Sequence, residues 1–347
     1  MSAEAPPNPD DPIDDWIERR EATHSPKTVE SYRTGLKHLR GFLDEEGIEP
    51  RELTASKTIE FINRLQNNPD LATSTIKTYI SHYNEFYSYY SDRGTFETNP
   101  VAEALRELDI DFDGTTHRRD ISIEEMSEFI NSVDHPLTLT ICVILGKTGV
   151  RAGELTNLDL QDVNLSHPRI NEHLPKPRPE IRDRPDTLFV DSSIGAEEVH
   201  NGEQRRVGNK RQRSTIIPID DELKRTLIYW LAVRHPSRSE ARPLLQTTSG
   251  GRGIAPGDRI TPNVIHRCLR NETEEWGWWD KDASLEWNVT PHYFRHFFTT
   301  HARERMDDNT VKYIRGDAGG ETMDRYTHNW GDKVESEYRQ NSYTFFE

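Results

Sequence analysis

The sequence predicts a mainly α protein with one small antiparallel β-sheet, divided into two domains. Three observations carry this. From Ile13 to about Leu105 apolar residues recur at helical spacing, with no strand pattern among them. The run D-I-D-F-D-G-T-T-H-R-R-D at positions 109–120 then breaks the periodicity. Beyond it, short apolar and β-branched runs bounded by turn residues occur only between positions 187 and 219. The expected division is a disordered tail over 1–12, a helical domain over 13–108, a linker over 109–120 and a second domain over 121–347.

The tail is acidic and Pro-rich, with neither the basic nor the apolar region of a signal peptide. Ser25-Pro26 starts the first long helix, with Val29, Tyr32, Leu36, Leu39 and Leu43 on one face and Gly47 beyond its end. A shorter helix is expected from Ala55 to Leu65. Another begins at Thr73 or Ser74 and ends before Gly94, with Ile76, Tyr79, Ile80, Tyr83, Phe86, Tyr87 and Tyr90 on its apolar side. Such an aromatic stripe suits base stacking, but at helical spacing it reads first as core.

In the second domain S-I-E-E at 122–125 is a capping box. The nearly all-apolar run from Leu137 to Leu145 follows, and it is far too short to span a bilayer. Positions 166–184 are rich in Pro, Arg and His and read as an extended loop. T-L-F-V-D at 187–191 reads as a strand. Positions 204–207 and 214–219 read as two more, with G-N-K-R at 208–211 as the hairpin turn between them. Helices resume at 221–234 and 262–276, and W-G-W-W at 276–279 reads as a packed corner.

At 33% hydrophobic and 30% charged residues, a core is affordable under a heavily charged surface. The net charge of −16 argues against a nucleic-acid partner at first sight. Lysine occurs 11 times against 33 arginines, however, and an acidic, lysine-poor surface resembles proteins that work in molar salt. There the Debye length is about 3 Å and distant repulsion is screened. One basic island, R-R-V-G-N-K-R-Q-R at 205–213, stands out; its plainer reading is a solvated loop. Cys142 and Cys268 give no metal-ligand spacing and no disulfide framework, which fits a reducing cytoplasm.

The candidate chemistry lies in the last third of the chain. Thr290-Pro291 starts a helix that carries His292 and Arg295 at i, i+3 on one face, with Phe294, Phe297 and Phe298 as anchors on others. Tyr326 follows in a short polar run. A histidine, an arginine and a tyrosine brought together suit attack on a phosphodiester. Arg151 sits just after Gly149 and Val150 at a helix junction, where its plainer reading is a surface ion pair with Glu154.

With these pieces in place the chain resembles the tyrosine recombinase (phage integrase) family, in its Xer-like and archaeal integrase branch. T-G-V-R-A-G-E-L at 148–155 resembles the family's first arginine box, and G-N-K-R-Q-R-S-T-I-I-P-I at 208–219 its β-hairpin lysine segment. T-P-H-Y-F-R-H at 290–296 matches the H-x-x-R box, and T-M-D-R-Y-T-H at 322–328 the tyrosine box. The helical domain resembles the family's SAM-like core-binding domain more weakly, by length and pattern.

The resemblance implies that Tyr326 attacks the scissile phosphate and leaves a 3′-phosphotyrosine and a free 5′-hydroxyl, with no ATP and no cofactor. Arg151 and Arg295 suit the charge that develops on the non-bridging oxygens, being planar, permanently charged and bidentate. His292 suits accepting the tyrosine proton or holding a phosphate oxygen. Lys210 suits protonating the departing 5′-oxygen, for which arginine is too weak an acid. Lys210, Arg211 and Arg213 are the candidate DNA contacts. One position departs from the pattern. The family has a histidine nine positions before the tyrosine, whereas this chain has Asp317 in I-R-G-D at 314–317. A carboxylate beside a phosphate must be paired or protonated, so Asp317 is expected to orient Arg295, Arg151 or His292.

The implied partner is double-stranded DNA, bound by a homo-tetramer on two sites with the C-terminal tail as one inter-protomer contact, and no metal or membrane. The plainer reading of the tail is a segment folded on its own domain. Two other functions stay open: a type IB topoisomerase-like nicking-closing enzyme, and a catalytically silent DNA-binding regulator.

Overall fold

Residues 10–108, 118–251, 254–281, 283, 287–317 and 330–346 are described by the structure, a computed structural model. Tyr326 and the rest of its box therefore lie outside the described residues, as do most of the expected tail and positions 109–117 of the expected linker. The chain divides into two compact units, Met1–Thr116 and His117–Glu347. Of the expected tail, Asp11 and Pro12 are part of the first helix. Asp11 is its N-cap, accepting from the backbone N–H groups of Ile13 and Asp14, and Pro12 fills the first helical position.

In the first unit the described helices are α1 (Pro12–Glu21), α2 (Pro26–Glu46), α3 (Ala55–Gln66), α4 (Thr73–Ser91) and α5 (Pro100–Glu107). Ser25 caps α2 through its hydroxyl, and Gly47 closes it in the left-handed conformation. The aromatic stripe of α4 is core. Tyr83, Phe86, Tyr87 and Tyr90 are buried. Their hydroxyls go to backbone carbonyls: Tyr83 donates to Gly35 (2.9 Å), Tyr87 to Pro50 (3.1 Å) and Tyr90 to Pro12 (2.9 Å). A buried phenol needs such an acceptor, and these ties join α4 to α2, to the turn at Pro50 and to α1 rather than leaving rings for bases.

The second unit is built around α7 (Pro136–Thr148), buried nearly throughout. Around it pack α6 (Ile123–Asn131), which starts with the expected Ser122–Glu125 capping box, and three later helices: α10 (Asp221–Val233), α11 (Pro262–Glu275) and α12 (Pro291–Arg303). The short α8 (Ala152–Asn157) follows α7, and α13 (Asp308–Arg315) follows α12. The expected loop over 166–184 contains the one-turn α9 (Pro168–Asn171), capped by the His167 side chain. The Trp corner is as read: Trp276 and Trp278 pack on each other and on Phe129.

The β-structure differs from expectation. β1 (Val163–Asn164), β2 (Thr187–Val190) and β5 (Thr215–Pro218) form one antiparallel sheet in the order β1-β2-β5. β2 pairs directly with β5, in the register Leu188↔Ile217 and Phe189↔Ile216. The strand expected at 204–207 does not pair with β5. Instead β4 (Glu203–Gln204) pairs with β3 (Val199–His200) around Asn201-Gly202, where φ is 53° and 77°. Two successive positive φ values belong to a two-residue hairpin turn, and Asn-Gly is the dipeptide that adopts them most readily. After β4 the chain turns inward, because Arg205 is buried against Asp159 (2.6 Å). G-N-K-R is thus part of the long β2–β5 connection and not a hairpin tip.

The last described helix, α14 (Trp330–Asn341), leads into a tail that packs on its own unit. Tyr343 and Phe345 are buried there. Glu222 accepts from the Phe345 and Phe346 backbone N–H groups (3.0 and 2.7 Å), and Asn131 donates to the Phe345 carbonyl (2.8 Å).

Candidate active site

Arg151 owes its position to a turn that only glycine makes easily. Gly149 ends α7 at φ 59°, and a Cβ there would lie 2.5 Å from Cδ1 of Phe298. The chain reverses through buried Val150, and Arg151 becomes the N-cap residue of α8. Glu154, three residues on, accepts from the Arg151 backbone N–H (3.0 Å) and its Nη1 (2.9 Å). The expected surface pair is therefore real, but Glu154 is buried and also accepts from Nη2 of Arg211 (3.1 Å).

Arg211 is not available to DNA, contrary to the sequence reading. Its guanidinium is buried and donates to Glu154, to the Thr215 hydroxyl and to the Ile314 carbonyl (3.1 Å). Gly316, at φ 66°, passes so close that a Cβ would meet Arg211 Cγ at 2.4 Å. The Gln212 N–H donates to the Gly316 carbonyl (3.0 Å). Arg211 thus joins α8 to the end of α13. Arg213 is half-buried, with its guanidinium over the Tyr313 ring. Lys210 is exposed in the β2–β5 connection, between Asn209, held by the Asp191 carbonyl (2.6 Å), and the buried Arg211.

Arg295 comes from α12, which starts with Thr290 as N-cap and Pro291 at the first position. Phe294, Phe297 and Phe298 bury as expected and fix the rotation of the helix. That rotation also buries Arg295, whose Nη1 donates to the Gly149 carbonyl (2.6 Å). Its Nη2 donates to the Arg315 carbonyl (3.1 Å) and to Oδ1 of Asp317 (2.6 Å). The same Oδ1 lies 3.4 Å from Nη2 of Arg151. The other oxygen, Oδ2, pairs with Arg315 (3.1 Å). Asp317 therefore stands among three guanidiniums, those of Arg151, Arg295 and Arg315. His292 is exposed on α12, with its Nε2 3.0 Å from Nε2 of His296.

The electrostatics follow from this crowding. Burial, aided by the Arg151 and Arg315 charges, pulls Arg295 down to about 10, so it stays a cation at neutral pH. Burial pushes the Glu154 carboxyl up, but Arg211, the Arg151 N–H and the Arg151 charge outweigh it and hold it below the usual range. Partial desolvation of the ring, and then the charges of Arg118, Arg295, Arg151 and Arg315, depress His292. Burial, Arg118 and His292 pull His296 down to about 4. Both rings are therefore held toward the neutral form, in which an imidazole nitrogen accepts a proton.

Beside the two histidines opens a cleft of about 620 Å³, lined by Arg118, Arg267, Arg270, His266, His292 and His296 among others. No carboxylate lines it among the described residues. In a chain of net charge −16 this is a local reversal of sign suited to a polyanion. Sequence reasoning missed Arg118, His296 and Arg315. The signal for Arg315 was present, since it is two residues from the one position that departs from the family pattern.

Residues 15–94 match the family model described as "Phage integrase, N-terminal SAM-like domain". The chain is 22% identical over 322 residues to the tyrosine recombinase XerC of Actinobacillus pleuropneumoniae, covering 90% of this chain and 85% of the relative. It is 24% identical over 341 residues to XerC of Halalkalibacterium halodurans, covering 94% and 96%. The Tn1549 transposon integrase, solved with transposon right-end DNA, superposes with a TM-score of 0.61 over 95% of this chain and 98% of that one, at 18% identity. A λ integrase dimer bound to a COC′ core site superposes with a TM-score of 0.55 over 92% and 77%, at 14% identity. At these identities the superpositions establish the fold.

Proposed function

We propose that the chain is a site-specific DNA recombinase of the tyrosine recombinase (phage integrase) family, one that cuts and rejoins DNA through a 3′-phosphotyrosine. One observation carries the reading: Arg151 and Arg295, far apart in sequence, meet on a single oxygen of Asp317. Two guanidiniums so fixed form a preorganised seat for the non-bridging oxygens of one phosphate, and each such donor is worth on the order of 3 kcal/mol of barrier.

In this mechanism the Tyr326 oxygen bonds to phosphorus as the bond to the 5′-oxygen breaks. His292, held neutral, accepts the phenolic proton. Lys210, exposed beside the anchored Arg211, gives a proton to the leaving 5′-oxygen. The free 5′-hydroxyl of a second strand then reverses the step and releases the tyrosine. Asp317 orients the two arginines and does not touch phosphate. The cationic cleft beside His292 carries the DNA backbone.

The wider setting is part of the same proposal. The first unit acts as the core-binding domain, the working assembly is a tetramer on two sites, and the protein works in the cytoplasm. Its acidic, lysine-poor surface suits molar salt, in keeping with the archaeal integrase branch. The test is a plasmid carrying two copies of a site selected from randomised duplexes. Deletion or inversion between the copies supports the proposal. Relaxation of supercoils at unrelated sequences would favour a nicking-closing enzyme instead, and binding with no strand breakage a silent regulator.

A further inference from the structure

We propose that Arg315 is a positioning residue for strand cleavage: it neutralises Asp317 and holds it turned toward Arg151 and Arg295, so that the Arg315–Asp317 pair does together what a neutral side chain at position 317 would do alone. This rests on the recombinase reading above. Three observations lead to it. Asp317 divides its two oxygens, giving Oδ1 to Arg295 (2.6 Å) and Arg151 (3.4 Å) and Oδ2 to Arg315 (3.1 Å). Arg315 is the last residue of α13 and Gly316 its left-handed cap, so the backbone that carries Asp317 is fixed directly beside the Arg315 side chain. The Arg315 carbonyl accepts from the same Arg295 nitrogen that holds Asp317, which closes a ring of contacts at 295, 315 and 317.

The charge count gives the reason for the pair. Glu154 is offset by the buried Arg211, which leaves Arg151, Arg295 and Arg315 against Asp317. Three cations and one anion leave two net positive charges for the phosphate. Without Arg315 the count would fall to one, with a carboxylate next to the developing negative charge. With a neutral residue at 317 and no cation at 315 it would again be two. Desolvation and Arg118 are the leading causes that hold His292 and His296 toward the neutral form, and the Arg315 charge adds to them.

The experiment is a double-mutant cycle on the full chain. It measures the rate of covalent complex formation with a nicked duplex that releases the 5′-fragment, with thermal melting of each variant as the folding control. Arg315→Leu is expected to slow cleavage on the order of tenfold to a hundredfold, the scale of an uncompensated charge. Arg315→Lys, which keeps the charge, is expected to stay within several-fold of the wild type. The decisive arm is Arg315→Leu combined with Asp317→His, expected to recover most of the lost rate. An undiminished rate in Arg315→Leu would overturn the proposal, and so would an equal loss in the Asp317→His background. If Arg315→Leu does not fold, Arg315→Gln takes its place in both arms. Failure of the wild-type protein itself to form the complex would instead overturn the recombinase reading.

Discussion

At the residue scale the site depends on charges that were legible only in part. Arg151, His292 and Arg295 were visible because their types and spacings match a chemistry, and the structure places Arg151 and Arg295 on a common partner. Glu154 and Arg211 were misjudged because sequence cannot tell a buried charge from a solvated one. Here both side chains are fully buried and paired at 3.1 Å. Breaking such a pair leaves an uncompensated buried charge, so Glu154→Gln is expected to cost about 3–5 kcal/mol of stability in urea unfolding. His296 supplies a pH test. Its pKa falls from 6.5 in the unfolded chain to about 4 in the folded one. The unfolded state therefore binds the proton first, and stability is lost as pH drops from about 6.5 toward 4. Replacing His296 with Gln should flatten that part of the melting-temperature profile while leaving it unchanged above neutrality. An unaltered acid slope would show that the ring is not held neutral by burial and by Arg118 and its neighbours.

At the scale of elements the helices were the legible part, because caps and 3.6-residue periodicity are local signals. Ser25, Ser122 and Thr290 all cap as expected. The sheet was read less well. The pairing of β2 with β5 spans a long connection, and nothing local distinguishes it from a short hairpin at 208–211. The Asn201-Gly202 turn was the overlooked local signal. The C-terminal tail posed a choice between its own unit and a neighbour, and in this chain it lies on its own unit. Lys147, fully buried, pairs with Asp220 (2.9 Å) and Glu222 (2.6 Å) and donates to the Tyr343 carbonyl. Deleting residues 342–347 uncovers that cluster and removes two buried aromatic side chains. The expected loss is at least about 3 kcal/mol, read as a lower melting temperature. A deletion variant as stable as the full chain would mean that the tail contributes nothing to its own fold.

At the scale of the whole molecule the overall charge points one way and the site the other. A chain of net charge −16 concentrates arginine and histidine along one cleft and around one carboxylate. Total composition averages over that contrast, which is why the order of four short boxes said more than the charge. Arg151 and Arg295, held on Asp317, are expected to serve an attack by Tyr326. The most direct measurement is to trap the protein on a nicked duplex, digest the adduct and identify the DNA-linked residue by peptide mass spectrometry. The expected result is a 3′-phosphate ester on Tyr326, absent in Tyr326→Phe and reduced by at least about a hundredfold in Arg295→Ala. An adduct on any other residue, or one that survives Tyr326→Phe, would contradict it.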